Sequence, residues 1–259
     1  MKVVAFIPAR YESSRFQGKP LAPIAGKPMI QHVYQRAALC KSVSQVIVAT
    51  DDERIRDCVK DFSGHVVMTG KGHHSGTDRV AEAARIMNLR DQDIVVNIQG
   101  DQPLLHPESI SHLVTPLLED PAIPMTTLIY KISEHHEVQD IRNVKAVRDR
   151  EGFALYFSRS PIPYFRDSGP GRVYYKHLGF YGYRMDFLQV FASLPPGDLE
   201  DKEKLEQLRT LEHGHKIKLI ETPHDSVEVD SPRDIKEVED LLKGSKTCSC
   251  RGCHSTRPL

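Results

Sequence analysis

The sequence predicts an α/β protein: a doubly wound, mostly parallel sheet carrying a smaller, β-rich antiparallel insertion. Three observations carry this reading. Short apolar runs alternate with helical patterns through the first half, as a parallel sheet covered by helices requires. After about Pro121 the texture turns β-rich. The chain then closes on a further strand and a capped helix, a return to the main domain.

The elements follow in order. Val3–Ile7 reads as the first strand, with Gln45–Thr50, His65–Thr69 and Asp93–Ile98 as its successors. Between them, Pro28–Cys40 has Pro28 at the first helical position and Ile30, Val33, Tyr34 and Ala37 at helical spacing. Asp52–Asp61 and Thr77–Met87 read as helices by the same test. Right-handed crossovers place a ligand beyond the carboxyl ends of such strands. "VKAVRDREGFALYFSR" reads as two strands about an Asp-Arg-Glu-Gly turn, and "YKHLGFYGYR" as another β-rich run. "EKLEQLRTLEH" predicts a helix and "KIKLIET" a strand. In "VDSPRDIKEVEDLLK", Ser231 is the expected N-cap, Pro232 the first helical residue and Asp234 the capping acid. Residues 1–121 and 214–243 thus form the main domain, 122–213 the insertion, and 244–259 a disordered, cysteine-containing tail.

Composition narrows the function. Thirty-five basic residues balance 35 acidic ones, so no global field points to nucleic acid or an anionic membrane. No apolar segment approaches the about 20 residues needed to cross a bilayer, and Met1-Lys2 leads straight into a strand, so a cytoplasmic protein is expected. Cys40 and Cys58 lie in expected helices and the other three cysteines crowd the tail, which argues against a disulfide framework.

Any cationic function must therefore be local, and the mouth of the first strand supplies one. "FIPARYESSRFQGKPL" sets Arg10, Arg15 and Lys19 there, cations that suit a triphosphate as well as they suit a solvated loop. It is not a Walker P-loop, because Lys19 is followed by Pro20 and no Gly lies four residues before Gly18. "VVNIQGDQPLL" ends another strand at Asp101 on the same rim, and "VEVDSP" offers Asp230 before the last helix. Two such carboxylates suit one hard divalent cation.

"IPARYESSRFQGKPL", "VATDDERI", "SGTDRVAEA", "NIQGDQPLL", "ALYFSRSPIPY", "HLGFYGYR", "LEQLRTLE" and "VDSPRDI" together resemble the 3-deoxy-D-manno-octulosonate (Kdo) cytidylyltransferases, in order and from residue 3 to about 240. The resemblance implies a nucleotide-diphospho-sugar transferase-like fold and a reaction of CTP with Kdo that gives CMP-Kdo and pyrophosphate for lipopolysaccharide assembly. By the same match, Arg10, Arg15 and Lys19 hold the triphosphate, with Arg10 and Lys19 acting in catalysis, and Asp101 and Asp230 bind Mg²⁺. Ser75, Gly76 and Arg79 fall on the cytosine side. Arg159 matches the sugar carboxylate's cation, while Gln99, His177, Tyr181, Glu206 and Gln207 match positions that bind sugar hydroxyls or order the site. The main domain would hold the nucleotide; the insertion would hold the sugar acid and make a homodimer. Without the resemblance, His177 and Tyr181 read as strand packing and Glu206–Gln207 as a solvated helix face. The same chemistry on 8-amino-Kdo or another acidic sugar is the nearest alternative, and a non-catalytic nucleotide- or sugar-binding regulator a more distant one.

Two departures stand out. Gln102 occupies a position where the family often has Glu, and the tail "TCSCRGCHSTRPL" matches nothing in it. Cys248, Cys250, Cys253 and His254 form one compact cluster, a poor zinc site compared with separated ligand knuckles.

Overall fold

The computed structural model describes residues 1–12, 16–167 and 171–247. Strand β1, Val3–Ala9, is apolar on both sides: Val3, Ala5 and Ile7 enter one core cluster, Val4 and Phe6 another. Helices must therefore cover both faces of its sheet. A hairpin of β2 (Pro23–Ile24) and β3 (Lys27–Pro28) leads into α1 (Met29–Ala38). Pro28 is the N-cap of α1 and not its first residue, because it still pairs with Pro23 across the hairpin.

The next elements are β4 (Gln45–Thr50), α2 (Glu53–Asp61), β5 (Val66–Met68), α3 (Gly76–Ile86) and β6 (Ile94–Asn97). Asp52 stays outside α2 as its cap, accepting from the Arg54 amide at 2.9 Å. After α4 (Pro107–Glu119), β7 (Met125–Lys131) and α5 (His135–Gln139), the expected strand pair appears as β8 (Lys145–Arg148) and β9 (Ala154–Ser158). Asp149 closes their turn, its carboxylate accepting from Phe153 N at 2.8 Å. The remaining described elements are β10 (Tyr175–Arg184), α6 (Met185–Ser193), α7 (Asp198–Glu203), α8 (Leu208–Glu212), β11 (Lys218–Glu221) and α9 (Pro232–Thr247).

One nine-stranded sheet organises the molecule, in the order β11-β7-β10-β6-β1-β4-β5, with β8 attached to β10 and β9 to β8. Strand β1 pairs in parallel with β4 on one side and β6 on the other, which makes its carboxyl end a switch point where ligands bind. Strand β10 runs antiparallel to both β6 and β7. The antiparallel part is thus continuous with the main sheet and shares its cores.

Two further boundaries differ from expectation. The helix expected over Glu203–His213 is broken at Lys204, which adopts a left-handed conformation (φ 53°). Leu205 and Leu208 are both buried, and the break turns the chain inward so that both can be. At the other end α9 continues to Thr247, past the expected end at residue 243. Its start at Pro232 and the capping acid are as read, Asp234 Oδ2 accepting from Ser231 N at 2.7 Å and Asp230 N at 2.8 Å, while the Ser231 hydroxyl donates to the same oxygen at 3.1 Å. Arg15 and the tail residues Cys248, Cys250, Cys253 and His254 lie outside the described residues.

Candidate active site

A cleft of about 210 Å³ opens at the carboxyl ends of β1 and β6, walled by Arg10, Lys19, Ser75, Gly76, Gln99 and Asp101 among others. Two glycines let the walls approach. A Cβ on Gly76 would meet Pro8 Cγ at 3.2 Å, and one on Gly100 would meet the Pro8 carbonyl at 3.2 Å. Larger residues would push α3 and the β6 end away from β1.

Arg10 stands exposed at the rim, with no ion pair among the described residues. Lys19 sits between the two aspartates. Its Nζ donates to Asp101 Oδ2 at 2.7 Å and to the Val229 carbonyl at 3.0 Å, and lies 3.9 Å from Asp230 Oδ1. The Val229 amide in turn donates to the Asp101 carbonyl at 2.9 Å, which ties the two carboxylate-bearing segments together. Arg79 lines the cleft wall, but its charge is already met: it donates to Asp51 Oδ2 at 3.0 Å and to Thr69 Oγ1 at 2.6 Å. It braces the wall more than it offers a free cation.

A third carboxylate was not read from the sequence. Glu228 lines the neighbouring recess of about 340 Å³ together with Asp230 and His177. Burial, and then the negative charges of Asp101 and Asp230, push its pKa up to about 7. Alternation in "VEVD" puts Glu228 and Asp230 on one side of an extended chain, and that was the available signal. Gln102 explains itself here. Buried, it donates through Nε2 to Glu228 Oε1 at 2.9 Å and to the Leu178 carbonyl at 3.0 Å, and accepts from Ser226 Oγ at 3.0 Å. A Glu at 102 would set a carboxylate against those two oxygens.

Three carboxylates around a single ammonium are hard oxygen donors short of positive charge, a donor set that fits Mg²⁺. A pH dependence follows from Glu228. The folded protein holds this proton to about pH 7, whereas an unfolded chain releases it near the ordinary 4.5. Stability should therefore fall as pH rises through that window. Thermal melts of Glu228→Gln across pH 4 to 8 should show a shallower fall than the parent; an identical slope would refute the assignment.

From the cleft wall a run of hydrogen bonds leads to the sugar-side residues. Gln99 Nε2 donates to Asn97 Oδ1 (3.2 Å), Asn97 Nδ2 to Thr77 Oγ1 (3.0 Å), and Thr77 Oγ1 to Glu206 Oε2 (3.0 Å). This chain joins the cleft to the turn after Lys204. Tyr181 donates to Gln207 Oε1 at 3.0 Å. Two buried polar atoms then stand without partners among the described residues: Glu206 Oε1 and Gln207 Nε2. Burial raises the Glu206 pKa, with the hydroxyls of Ser75 and Thr77 offsetting part of the effect. A solvated helix face would leave no such orphans, so that bland expectation for Glu206–Gln207 is overturned by the break at Lys204.

His177 and Tyr181 lie either side of a bulge at Gly179 (φ 66°), where the β10 register against β7 shifts. Their rings sit 5.4 Å apart. Thr127 donates to the Phe180 carbonyl at 2.6 Å, so its contact with His177 Nε2 at 2.8 Å is received from the imidazole. Burial lowers the His177 pKa to about 3, and the neutral ring keeps a lone pair on Nδ1. Arg159 is not brought to either recess. Its guanidinium donates to the carbonyls of Glu203 (2.7 Å), Ile141 (3.0 Å) and Lys204 (3.4 Å), at the foot of the turn that carries Glu206.

Comparison with known proteins places this geometry. A family model described as Cytidylyltransferase matches residues 4–217. A 3-deoxy-manno-octulosonate cytidylyltransferase of Syntrophus aciditrophicus (strain SB) is 54% identical, covering 94% of this chain and 98% of its own. An 8-amino-3,8-dideoxy-manno-octulosonate cytidylyltransferase of Shewanella amazonensis (strain ATCC BAA-1098 / SB2B) is 55% identical, over 94% and 99%. The solved structure of a CMP:2-keto-3-deoxy-manno-octonic acid synthetase complexed with CTP superposes with a TM-score of 0.89 at 43% identity, covering 95% of this chain and 100% of that one. With its sheet order, its cleft at the β1 switch point and these matches along nearly its whole length, the chain belongs to the 3-deoxy-manno-octulosonate cytidylyltransferase family.

Proposed function

We propose that this protein converts CTP and Kdo to CMP-Kdo and pyrophosphate, supplying activated Kdo for lipopolysaccharide assembly. The observation that carries the reading is the pairing of a cationic, carboxylate-bearing cleft with two buried polar atoms that lack partners among the described residues, joined to it through Gln99, Asn97 and Thr77. Arg10 and Lys19 face where a triphosphate would lie and balance charge on the departing pyrophosphate. Ser75 and Gly76, at the α3 start, suit the base side. Glu206 Oε1 accepts from, and Gln207 Nε2 donates to, sugar hydroxyls, while the Tyr181 hydroxyl holds Gln207 in place. His177 Nδ1 is a further acceptor. Asp101 and Asp230 would hold Mg²⁺, with Glu228 beside them; when bound, the ion neutralises phosphate charge and lowers the pKa of a coordinated hydroxyl. Arg159 recognises the sugar carboxylate in this reading, exchanging its present carbonyl contacts for it. Arg159→Ala should then raise KM for Kdo by about 1.5–3 kcal/mol equivalent and leave KM for CTP unchanged; an effect on CTP alone would contradict the placement.

Relatives bearing both substrate names match at nearly equal identity, so the sugar is tested directly. Pyrophosphate release should be fastest with CTP and Kdo among a panel that includes 8-amino-Kdo and sialic acid. A preference for 8-amino-Kdo would establish the second reading, and no release with any acidic sugar would favour a non-catalytic binder.

We further propose a cytoplasmic homodimer formed through the antiparallel part, where Ile141 (66%), Leu155 (62%) and Tyr164 (88%) are large exposed apolar side chains. Sedimentation should give a dimer at micromolar concentration and a weaker one for Leu155→Asp. A monomeric parent would refute this.

A further inference from the structure

The left-handed Lys204 is held by more than the burial of Leu205 and Leu208. A non-glycine residue in that region is uncommon and persists where its surroundings over-determine it. Here the surroundings begin at Glu203, the last residue of α7. Its carboxylate reaches the end of β9, where Oε1 accepts from Ser158 Oγ at 2.7 Å and Oε2 from the Arg159 amide at 3.0 Å. Ser158 is buried, and its Oγ accepts in turn from the Ser160 amide at 3.0 Å. On β8 the wholly buried Lys145 pairs with Ser158 and donates to the Asp140 and Asn143 carbonyls. It thereby fixes the turn whose Ile141 carbonyl accepts from Arg159. Beyond the break, Arg209 of α8 donates twice to Glu200 of α7, at 2.8 and 2.6 Å.

We propose that Glu203 is a positioning residue for the sugar acid, setting the spacing between Arg159 and the Glu206–Gln207 pair. The inference rests on the functional reading above, in which Arg159 meets the sugar carboxylate and the pair meets sugar hydroxyls. Those groups come from segments distant in sequence, and the Glu203 carboxylate ties one to the other. Arg159 also donates to the Glu203 and Lys204 carbonyls, but these are contacts it gives up when it takes the sugar carboxylate. The bonds of Glu203 to the Ser158 hydroxyl and the Arg159 backbone do not compete with substrate. A ligand gripped at two ends binds well only where the two grips are kept at a fixed distance.

Steady-state kinetics on the full chain test this. Glu203→Ala should raise KM for Kdo about tenfold and leave KM for CTP within about twofold. Glu203→Gln, whose amide oxygen still accepts a hydrogen bond, should recover most of the loss, and Ser158→Ala should fall between the two. Because Glu203 acts through the pair, Glu203→Ala should cost less in a background carrying Glu206→Ala and Gln207→Ala than in the parent. Amide hydrogen exchange without substrate gives an independent readout, with residues 204–207 exchanging faster in Glu203→Ala. If Glu203→Ala folds poorly, Ser158→Ala and Glu203→Gln carry the same comparison. An active parent whose KM for Kdo is unmoved by these changes, equal rises in both KM values, or an undiminished loss in the combined background would overturn the proposal. A parent that releases no pyrophosphate with Kdo would instead sink the functional reading, and this role with it.

Discussion

Replacing Asp101 or Asp230 by Ala should lower kcat with CTP, Kdo and Mg²⁺ by about a hundredfold to a thousandfold, the loss typical of removing one preorganised electrostatic contact to a transition state. The two side chains are partly exposed, at 24% and 32%, so little of the fold depends on them. Melting temperature should stay near that of the parent. Asp101→Ala would leave Lys19 with the Val229 carbonyl and a more distant Asp230, a cation no longer held at the cleft floor. Lys19→Ala should also act on kcat, because its charge matters most as pyrophosphate departs. Near-parent kcat in either aspartate variant would refute the two-carboxylate site.

The second large effect is expected at the orphaned pair. Glu206→Ala and Gln207→Ala should each raise KM for Kdo about 10- to 100-fold, as loss of a buried hydrogen bond to substrate allows. KM for CTP should change little, since neither residue lines the cleft that holds Arg10 and Lys19. Stability gives the contrast. A buried carboxylate with one unpaired oxygen and a raised pKa costs the folded state free energy, so Glu206→Gln should melt no lower than the parent. Steady-state kinetics and thermal melts on the same samples check both halves. A variant that loses stability but keeps its KM for Kdo would make Glu206 a structural residue.

The parallel half of the fold was legible because its signals are local. Val3–Ile7 is apolar on both sides, and helical apolar spacing follows in Pro28–Cys40, Asp52–Asp61 and Thr77–Met87, although the caps at Asp52 and Ser75 went unread. The cations at the end of β1 and Asp101 at the end of β6 were legible for the same reason, since switch-point geometry needs only the strand ends. What escaped depended on contacts distant in sequence. Nothing local in "EKLEQLRTLEH" marks the left-handed Lys204; burial of Leu205 and Leu208 against the sheet decides it. The role of Gln102 depends on Leu178, Ser226 and Glu228, which sequence alone does not bring together. The carbonyl contacts of Arg159 belong to the same class.

The central claim is attack of a sugar hydroxyl on the α-phosphorus of CTP at this cleft. Phosphorus-31 NMR of the protein with CTP, Kdo and Mg²⁺ tests it most directly. The account predicts that CTP signals are replaced, in equal amounts, by a CMP-sugar phosphodiester and pyrophosphate, and that neither forms without Kdo. Formation of CDP and inorganic phosphate, or consumption of CTP that does not depend on the sugar, would contradict it.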